Sequence, residues 1–556
     1  MQSSASARVS NWPVWLALGI PVLVAVALMA PRILDAHFGL FDDPTSISVA
    51  EQTWQGSWDW RSDAGFGRFR PVYWLAFSLM YAWAGNQAVW YFCGNLLLLA
   101  GTALLLSLIV LRLTHSHLAA GAAGIAFVLG GPVIEAAYTL SKPELLQCFF
   151  LTCSGAALVL SSQTPSRRAR AGRVLLASLC VLLAALTKET TGVVLAIALS
   201  WLAVAWISGK VNPKMAGARR SPDPREFVLA AVLGVGVFGL GVLRLSPSTV
   251  SAAGPQVNFT FTWAVIRGNA NVWLDLLVRD WLYLLPLLAA AAYLVVSTRR
   301  LLQVPIILGS LIWMGAWFAL YLPYRFTPEY YLLPFSLGAA VLTGLLVPQV
   351  VDAARAASPA GSLLATACAA LAAVLFLLTI PNDLSNAGIQ LSVDKANQAM
   401  LGYVAETMPP GGLVLVNIRA EVEYLWQVGP MLHSVYNRPD LAVEPYPASG
   451  VPPAYRGRPA VVVSPIMENV PYPSVRLGIP EQASRAWEAD LQSEIGDRLK
   501  LQREIRFGLD LLVVDAPRLI CLAVPRIGYC QRPHAPFDTR RFAAGWRVYS
   551  LSDLAD

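Results

Sequence analysis

The stretch Phe38-Gly39-Leu40-Phe41-Asp42-Asp43-Pro44 sets two adjacent carboxylates a few residues beyond an apolar run. Such a pair is costly beside a membrane unless it faces water, a cation or a substrate. A carboxylate against an apolar wall has a raised pKa and can accept a proton from a sugar hydroxyl or similar acceptor. Asp42 and Asp43 are therefore candidates for a catalytic base and its partner. A structural role competes, in which Asp43 is the N-cap of a helix with Pro44 at its first position. The two roles are compatible, because a capping aspartate can hold its neighbour still.

Cations recur at matching places. Phe66-Gly67-Arg68-Phe69-Arg70-Pro71-Val72-Tyr73-Trp74 flanks two arginines with aromatics. Arginine makes bidentate contacts with phosphate oxygens, and aromatics give sugar-stacking faces or an interfacial belt. Ser141-Lys142-Pro143-Glu144-Leu145, Thr187-Lys188-Glu189-Thr190 and Tyr324-Arg325-Phe326-Thr327-Pro328-Glu329 each join a cation to an acid. Taken singly, each is a snorkelling cation with a local salt bridge. Taken together, Arg68, Arg70, Lys142, Lys188 and Arg325, supported by Glu144, Glu189 and Glu329, surround an aspartate pair. That grouping fits an anionic, lipid-linked substrate held beside a base.

The elements that must position these groups are apolar. The 556 residues are 56% hydrophobic and only 13% charged, about half the charge of an average soluble domain. This excludes a soluble multi-domain enzyme, a disordered chain and a disulfide scaffold. A helical span needs about 20 mostly apolar residues, and about eleven candidates meet that standard: 13–30, 87–111, 118–137, 145–162, 173–187, 190–208, 226–245, 281–297, 304–322, 330–348 and 362–380. The stretch 71–84 is short and aromatic, as expected of an interfacial or re-entrant helix, with a twelfth span as the alternative. Residues 13–30 also resemble a signal peptide, with Ala25-Val26-Ala27 as a cleavage site, but their apolar length favours a retained anchor.

Arg8, Arg112, Arg167, Arg168, Arg170, Arg173, Lys210, Lys214, Arg219, Arg220, Arg225, Arg299, Arg300 and Arg355 fall on alternate loops. By the positive-inside rule these loops are cytoplasmic. The expected protein is thus mainly α, a polytopic membrane bundle over residues 1–380 in the cell membrane. Its N-terminus lies inside, and an extracytoplasmic α/β domain occupies residues 381–556. The net charge of +7 then records topology rather than nucleic-acid binding. The outward loops, 31–70, 138–144, 188–189, 246–280 and 323–329, carry every cation–acid set above.

The tail shows strand-like runs at Leu413–Ile418, Ala460–Ser464 and Leu511–Asp515, separated by helical patterns at Val393–Thr407 and Glu481–Arg506. Cys93, Cys148, Cys153, Cys180 and Cys368 fall within spans as small apolar residues. In an oxidising compartment Cys521 and Cys530 could form a disulfide; two free thiols are the alternative. No His or Cys cluster points to a transition metal. His37 stands alone at a span end, and a divalent ion beside Asp42 and Asp43 stays open.

These motifs resemble the GT-C superfamily of integral-membrane glycosyltransferases, which use polyprenyl-phosphate sugars. The similarity rests on Asp42-Asp43, Gly67-Arg68-Phe69-Arg70-Pro71, Lys142-Pro143-Glu144, Thr187-Lys188-Glu189-Thr190 and Arg325 before Pro328–Tyr331. It spans roughly residues 10–350 and is nearest to the branch holding protein O-mannosyltransferases and aminoarabinose or arabinofuranosyl transferases. That family often has Asp-Glu where this chain has Asp42-Asp43, which leaves open which carboxylate is the base. The resemblance implies an inverting transfer from a polyprenyl-phosphate sugar to an extracytoplasmic glycan, lipid or protein acceptor. The base would be Asp42 or Asp43, and the leaving phosphate would be stabilised by Arg68, Arg70, Lys142, Lys188 and Arg325. A lipid or glycan transporter and a glycan polymerase or ligase are the competing classes. A transporter would normally show internal repeats, and none is visible in the sequence.

Overall fold

The structure, a computed structural model, describes residues 12–57, 69–211, 223–245, 259–298, 304–324, 327–356, 359–418, 423–446, 457–471, 481–515 and 537–551. The helices of the bundle are α1 (Trp12–Leu34), α2 (Asp43–Trp54), α3 (Pro71–Ala84), α4 (Ala88–Thr114), α5 (His117–Val128), α6 (Gly131–Ala137), α7 (Glu144–Ser162), α8 (Arg167–Thr187), α9 (Val193–Val211), α10 (Pro224–Leu245), α11 (Trp263–Trp281), α12 (Leu284–Thr298), α13 (Val304–Tyr321), α14 (Leu333–Ala356) and α15 (Pro359–Leu377). The chain continues with α16 (Ile380–Thr407), β1 (Leu413–Val416), α17 (Glu423–Ser434), β2 (Ala442–Pro445), β3 (Ala460–Glu468), α18 (Glu481–Ile495), β4 (Leu499–Val514) and β5 (Phe537–Leu551).

Among the described residues, nine helices are long and apolar enough to cross a membrane, or eleven if each of two bent pairs counts as one span. The protein is multi-pass. One bent pair, α5–α6, breaks by 58° at Gly130 and covers the expected span 118–137. The other, α11–α12, bends by 75° and corrects the sequence reading, which took residues 246–280 as loop. Arg267, Asp275, Arg279 and Asp280 dilute that segment's hydropathy, yet Trp263–Trp281 is helical. The short 71–84 stretch is a 14-residue helix opened by Pro71 and closed at Gly85.

The C-terminal sheet has strand order β2-β1-β3-β5-β4, parallel across β2-β1-β3 and antiparallel across β3-β5-β4. The helical pattern expected over Glu481–Arg506 stops at Ile495. Beyond it Leu499, Leu501, Ile505, Phe507, Leu509, Leu511 and Val513 mark period-two alternation, so this stretch extends as β4 and absorbs the expected strand at 511–515. The β2 and β5 strands escaped the sequence reading. Gly545 is needed where β5 passes β4, because a Cβ there would lie 2.0 Å from the Ile505 carbonyl oxygen.

Helix α16 joins the two parts. It begins just beyond the span α15 and runs beneath β4 and β5. Asn382 exchanges two 2.8 Å hydrogen bonds with the Val514 backbone, Ser385 donates to Leu512 O, and Trp546 Nε1 donates to Asn397. Its other side packs on the bundle, so one apolar core runs from Phe92 and Trp273 through Val393 and Met400 to Phe542 and Trp546.

Candidate functional site

The acidic pair sits where α1 hands over to α2. Asp42 adopts a left-handed backbone, φ 65°, a conformation in which Asp and Asn are the least strained of the residues bearing a Cβ. It precedes α2 but makes no capping hydrogen bond. Asp43 is the first helical residue rather than the cap, and Pro44 follows it. Its side chain turns inward, accepting from Gly39 N at 2.9 Å and from Ser141 N and Oγ at 3.2 and 2.8 Å. Asp43 is 1% exposed, whereas the Asp42 side chain is 36% exposed. Burial pushes the Asp43 carboxyl up to about 6, further than the Gly39 and Ser141 donors draw it down.

Three cation–acid pairs stand about the acidic pair, and none is local to its motif. Lys142 pairs with Asp42, Lys188 with Glu144, and Arg70 Nε lies 4.0 Å from Glu189. Lys142 Nζ also lies 4.1 Å from the Phe41 ring centroid and 4.8 Å from that of Tyr330. Lys188 Nζ is 4.3 Å from the Tyr331 centroid, in a tyrosine group where Tyr321 and Tyr331 stack at 4.8 Å. Desolvation lowers the Lys188 pKa, although Glu144 draws it back up. A Lys-Pro-Glu turn and a Lys-Glu turn at successive helix junctions thus interlock across the bundle. The sequence showed the components but not the partners.

Glu329 stands apart from that set. Its two oxygens accept from Arg279 at 2.8 and 2.9 Å, and Arg279 also grips Asp280 at 2.6 and 2.8 Å. Glu329 therefore belongs to a buried cluster with Arg279, Asp280 and Asn386. Asp383 joins the cluster with both oxygens buried and without a hydrogen-bond partner. The sequence reading missed Arg279, Asp280 and Asp383. The detectable signal was an Arg-Asp pair at the edge of an apolar run.

A second missed contact ties α16 to the turn that precedes the acidic pair. Arg32, fully buried, donates to Asp394 at 2.5 Å and to His37 O at 3.1 Å, with its guanidinium 4.1 Å from the Phe92 ring centroid. Gly39 is wedged between two carboxylates. A Cβ there would lie 2.9 Å from Asp394 Oδ1 and 3.4 Å from Asp43 Oδ2.

Of the sequence-predicted residues, the structure brings together Asp42, Asp43, Arg70, Lys142, Glu144, Lys188 and Glu189. Arg68, Arg325, Cys521 and Cys530 lie outside the described residues. The acidic pair does not fit a divalent ion: both Asp43 oxygens already accept hydrogen bonds, and Asp42 holds an ammonium. No group of three or more His, Cys, Asp or Glu suited to a metal occurs among the described residues. His37 faces Asp35 at 2.7 Å.

No family model matches the chain, and no curated protein matches it. Solved structures do. ArnT from Cupriavidus metallidurans bound to undecaprenyl phosphate is 15% identical, with a TM-score of 0.50 over 82% of this chain and 93% of that one. The same protein in the apo state matches at 13% identity and TM-score 0.49, over 89% and 96% of the two chains. The apo oligosaccharyltransferase of Archaeoglobus fulgidus matches at 14% identity and TM-score 0.47, over 79% and 65%. The first of these carries the assignment: the chain has the fold of a GT-C-like membrane glycosyltransferase.

Proposed function

We propose that the chain is an inverting glycosyltransferase that moves a sugar from a polyprenyl-phosphate donor to an extracytoplasmic acceptor. The observation that carries this reading is the partly exposed Asp42 carboxylate, paired with Lys142 and grouped with Lys188 and Arg70. Asp42 is the base, because it alone of the pair reaches open space. Asp43 holds the loop. The acceptor hydroxyl gives its proton to Asp42 as its oxygen attacks the anomeric carbon. The bond from that carbon to the phosphate oxygen breaks, and its electron pair leaves with the polyprenyl phosphate. Lys142, Lys188 and Arg70 stabilise that charge, and preorganised cations do so strongly near low dielectric. A phosphate that draws Lys142 away from Asp42 also raises the proton affinity of Asp42, so the base strengthens as the donor arrives. Arg68 and Arg325 are proposed to join the phosphate contacts, with Glu144 and Glu189 aligning the lysines.

The positive-inside pattern supports an outward mouth, a cytoplasmic N-terminus and an extracytoplasmic part at 381–556 over a catalytic part at 1–380. The test is to incubate the purified protein with a panel of radiolabelled polyprenyl-phosphate sugars and follow polyprenyl phosphate release. Asp42→Asn should retain expression and the backbone, since Asn tolerates the left-handed conformation, yet lose about 10²–10⁴ in rate. No release from any donor, or Asn at wild-type rate, overturns the proposal.

A further inference from the structure

The β4–β5 ribbon changes character along one face. In register, that face carries Glu504 opposite Arg547 and Asp510 opposite Arg541, then Leu512 opposite Thr539 and Val514 opposite Phe537. Charge gives way to apolar side chains over the last rungs. Leu512 is 43% and Phe537 49% exposed, whereas Val514 on the same face is buried.

The position of that end is fixed. Val514 is bonded in both directions to Asn382, and Leu512 O accepts from Ser385. Both residues stand in the first two turns of α16, directly after the span α15. The exposed stripe of α15, Leu363, Leu371, Val374 and Leu377, recurs at helical spacing on one face. Leu384 continues it beyond the break, 56% exposed. The apolar rungs of the ribbon thus stand beside the end of an exposed apolar stripe of the kind a bilayer covers.

We propose that the Leu512–Phe537 end of the β4–β5 ribbon is a membrane contact, seated at the boundary of headgroups and acyl chains. The contact pins the sheet to the bilayer, beside the point where α15 leaves it, and so fixes the height of α16 over the mouth. The inference stands on placement and burial, independent of the sugar-transfer reading.

The test uses the full chain in phosphatidylglycerol–phosphatidylethanolamine vesicles, with nitroxide labels on Leu512→Cys, Phe537→Cys and Leu501→Cys. The unsubstituted protein, labelled in parallel, corrects for native thiols. Leu501 is a control of equal exposure, 50%, roughly 35 Å away along the same strand. Labels at 512 and 537 should show at least a several-fold higher ratio of collisions with oxygen to collisions with a water-soluble nickel reagent than the label at 501. Equal ratios at all three positions overturn the proposal. Shielding of 512 and 537 from both reagents also overturns it, because a protein surface would then be the occupant.

Discussion

The pH response of the turn at Asp43 follows from its surroundings. Its carboxyl moves from an ordinary 3.8 to about 6 because burial opposes the charge. That change corresponds to about 3 kcal/mol between the two protonation states. The sign is set by the direction. With the folded value above the unfolded one, the neutral acid favours the folded turn. Its contribution is complete below pH 4 and is lost as the pH rises through 6. At neutral pH the charged carboxylate therefore loosens the turn by up to about 3 kcal/mol, while its hydrogen bonds to Gly39 and Ser141 keep it closed. Hydrogen–deuterium exchange over residues 37–50, corrected for the intrinsic pH dependence of exchange, should show roughly ten-fold stronger protection at pH 5 than at pH 8. Asp43→Asn should flatten that difference. Equal protection at both pH values in the parent protein, or a pH response that survives Asp43→Asn, would refute the reasoning.

Two further outcomes are expected. Arg32→Met leaves Asp394 buried without its cation, as Asp394→Leu leaves Arg32, and each should cost about 3–5 kcal/mol. The double replacement should recover most of the loss, as measured by denaturation midpoints in one detergent, whereas additive losses would show that the pair is not coupled. Lys142→Met and Lys188→Met should each weaken binding of undecaprenyl phosphate by about ten- to a hundred-fold, the worth of one charge-assisted hydrogen bond at 1.5–3 kcal/mol. Unchanged affinity in both would remove the phosphate role.

Most of the bundle was legible because most of its spans are continuous apolar runs, a signal that survives without tertiary information. The charged motifs were legible for a related reason, since Lys142, Lys188 and the acidic pair interrupt such runs at their ends. Pairing was not. Lys142 meets Asp42 and Lys188 meets Glu144 across distances in sequence that no spacing rule encodes. Helix α11 was hidden because Asp280 and Arg279, which grips both Asp280 and Glu329, depress its hydropathy. The β4 strand was hidden for a different reason: its alternation of Leu, Ile and Phe with charged residues directly follows a helical pattern that masked the change of period. Asp394 carried no signal at all. An aspartate on a long, mixed helix reads as solvent-facing until Arg32 is seen beneath it.

The Arg32–Asp394 contact spans 362 residues of chain, and that separation has a consequence for biogenesis. At about 5–20 residues per second, Asp394 leaves the ribosome roughly 20–70 s after Arg32. Throughout that interval the guanidinium at the end of the first helix lacks its Asp394 partner and is drawn toward headgroup water. The depth of α1, and with it the turn holding Asp42, is therefore settled by a late-synthesised part of the chain. Threading and locking become separate events, and a ribosome stalled before α16 leaves a protein inserted with its chemistry unassembled.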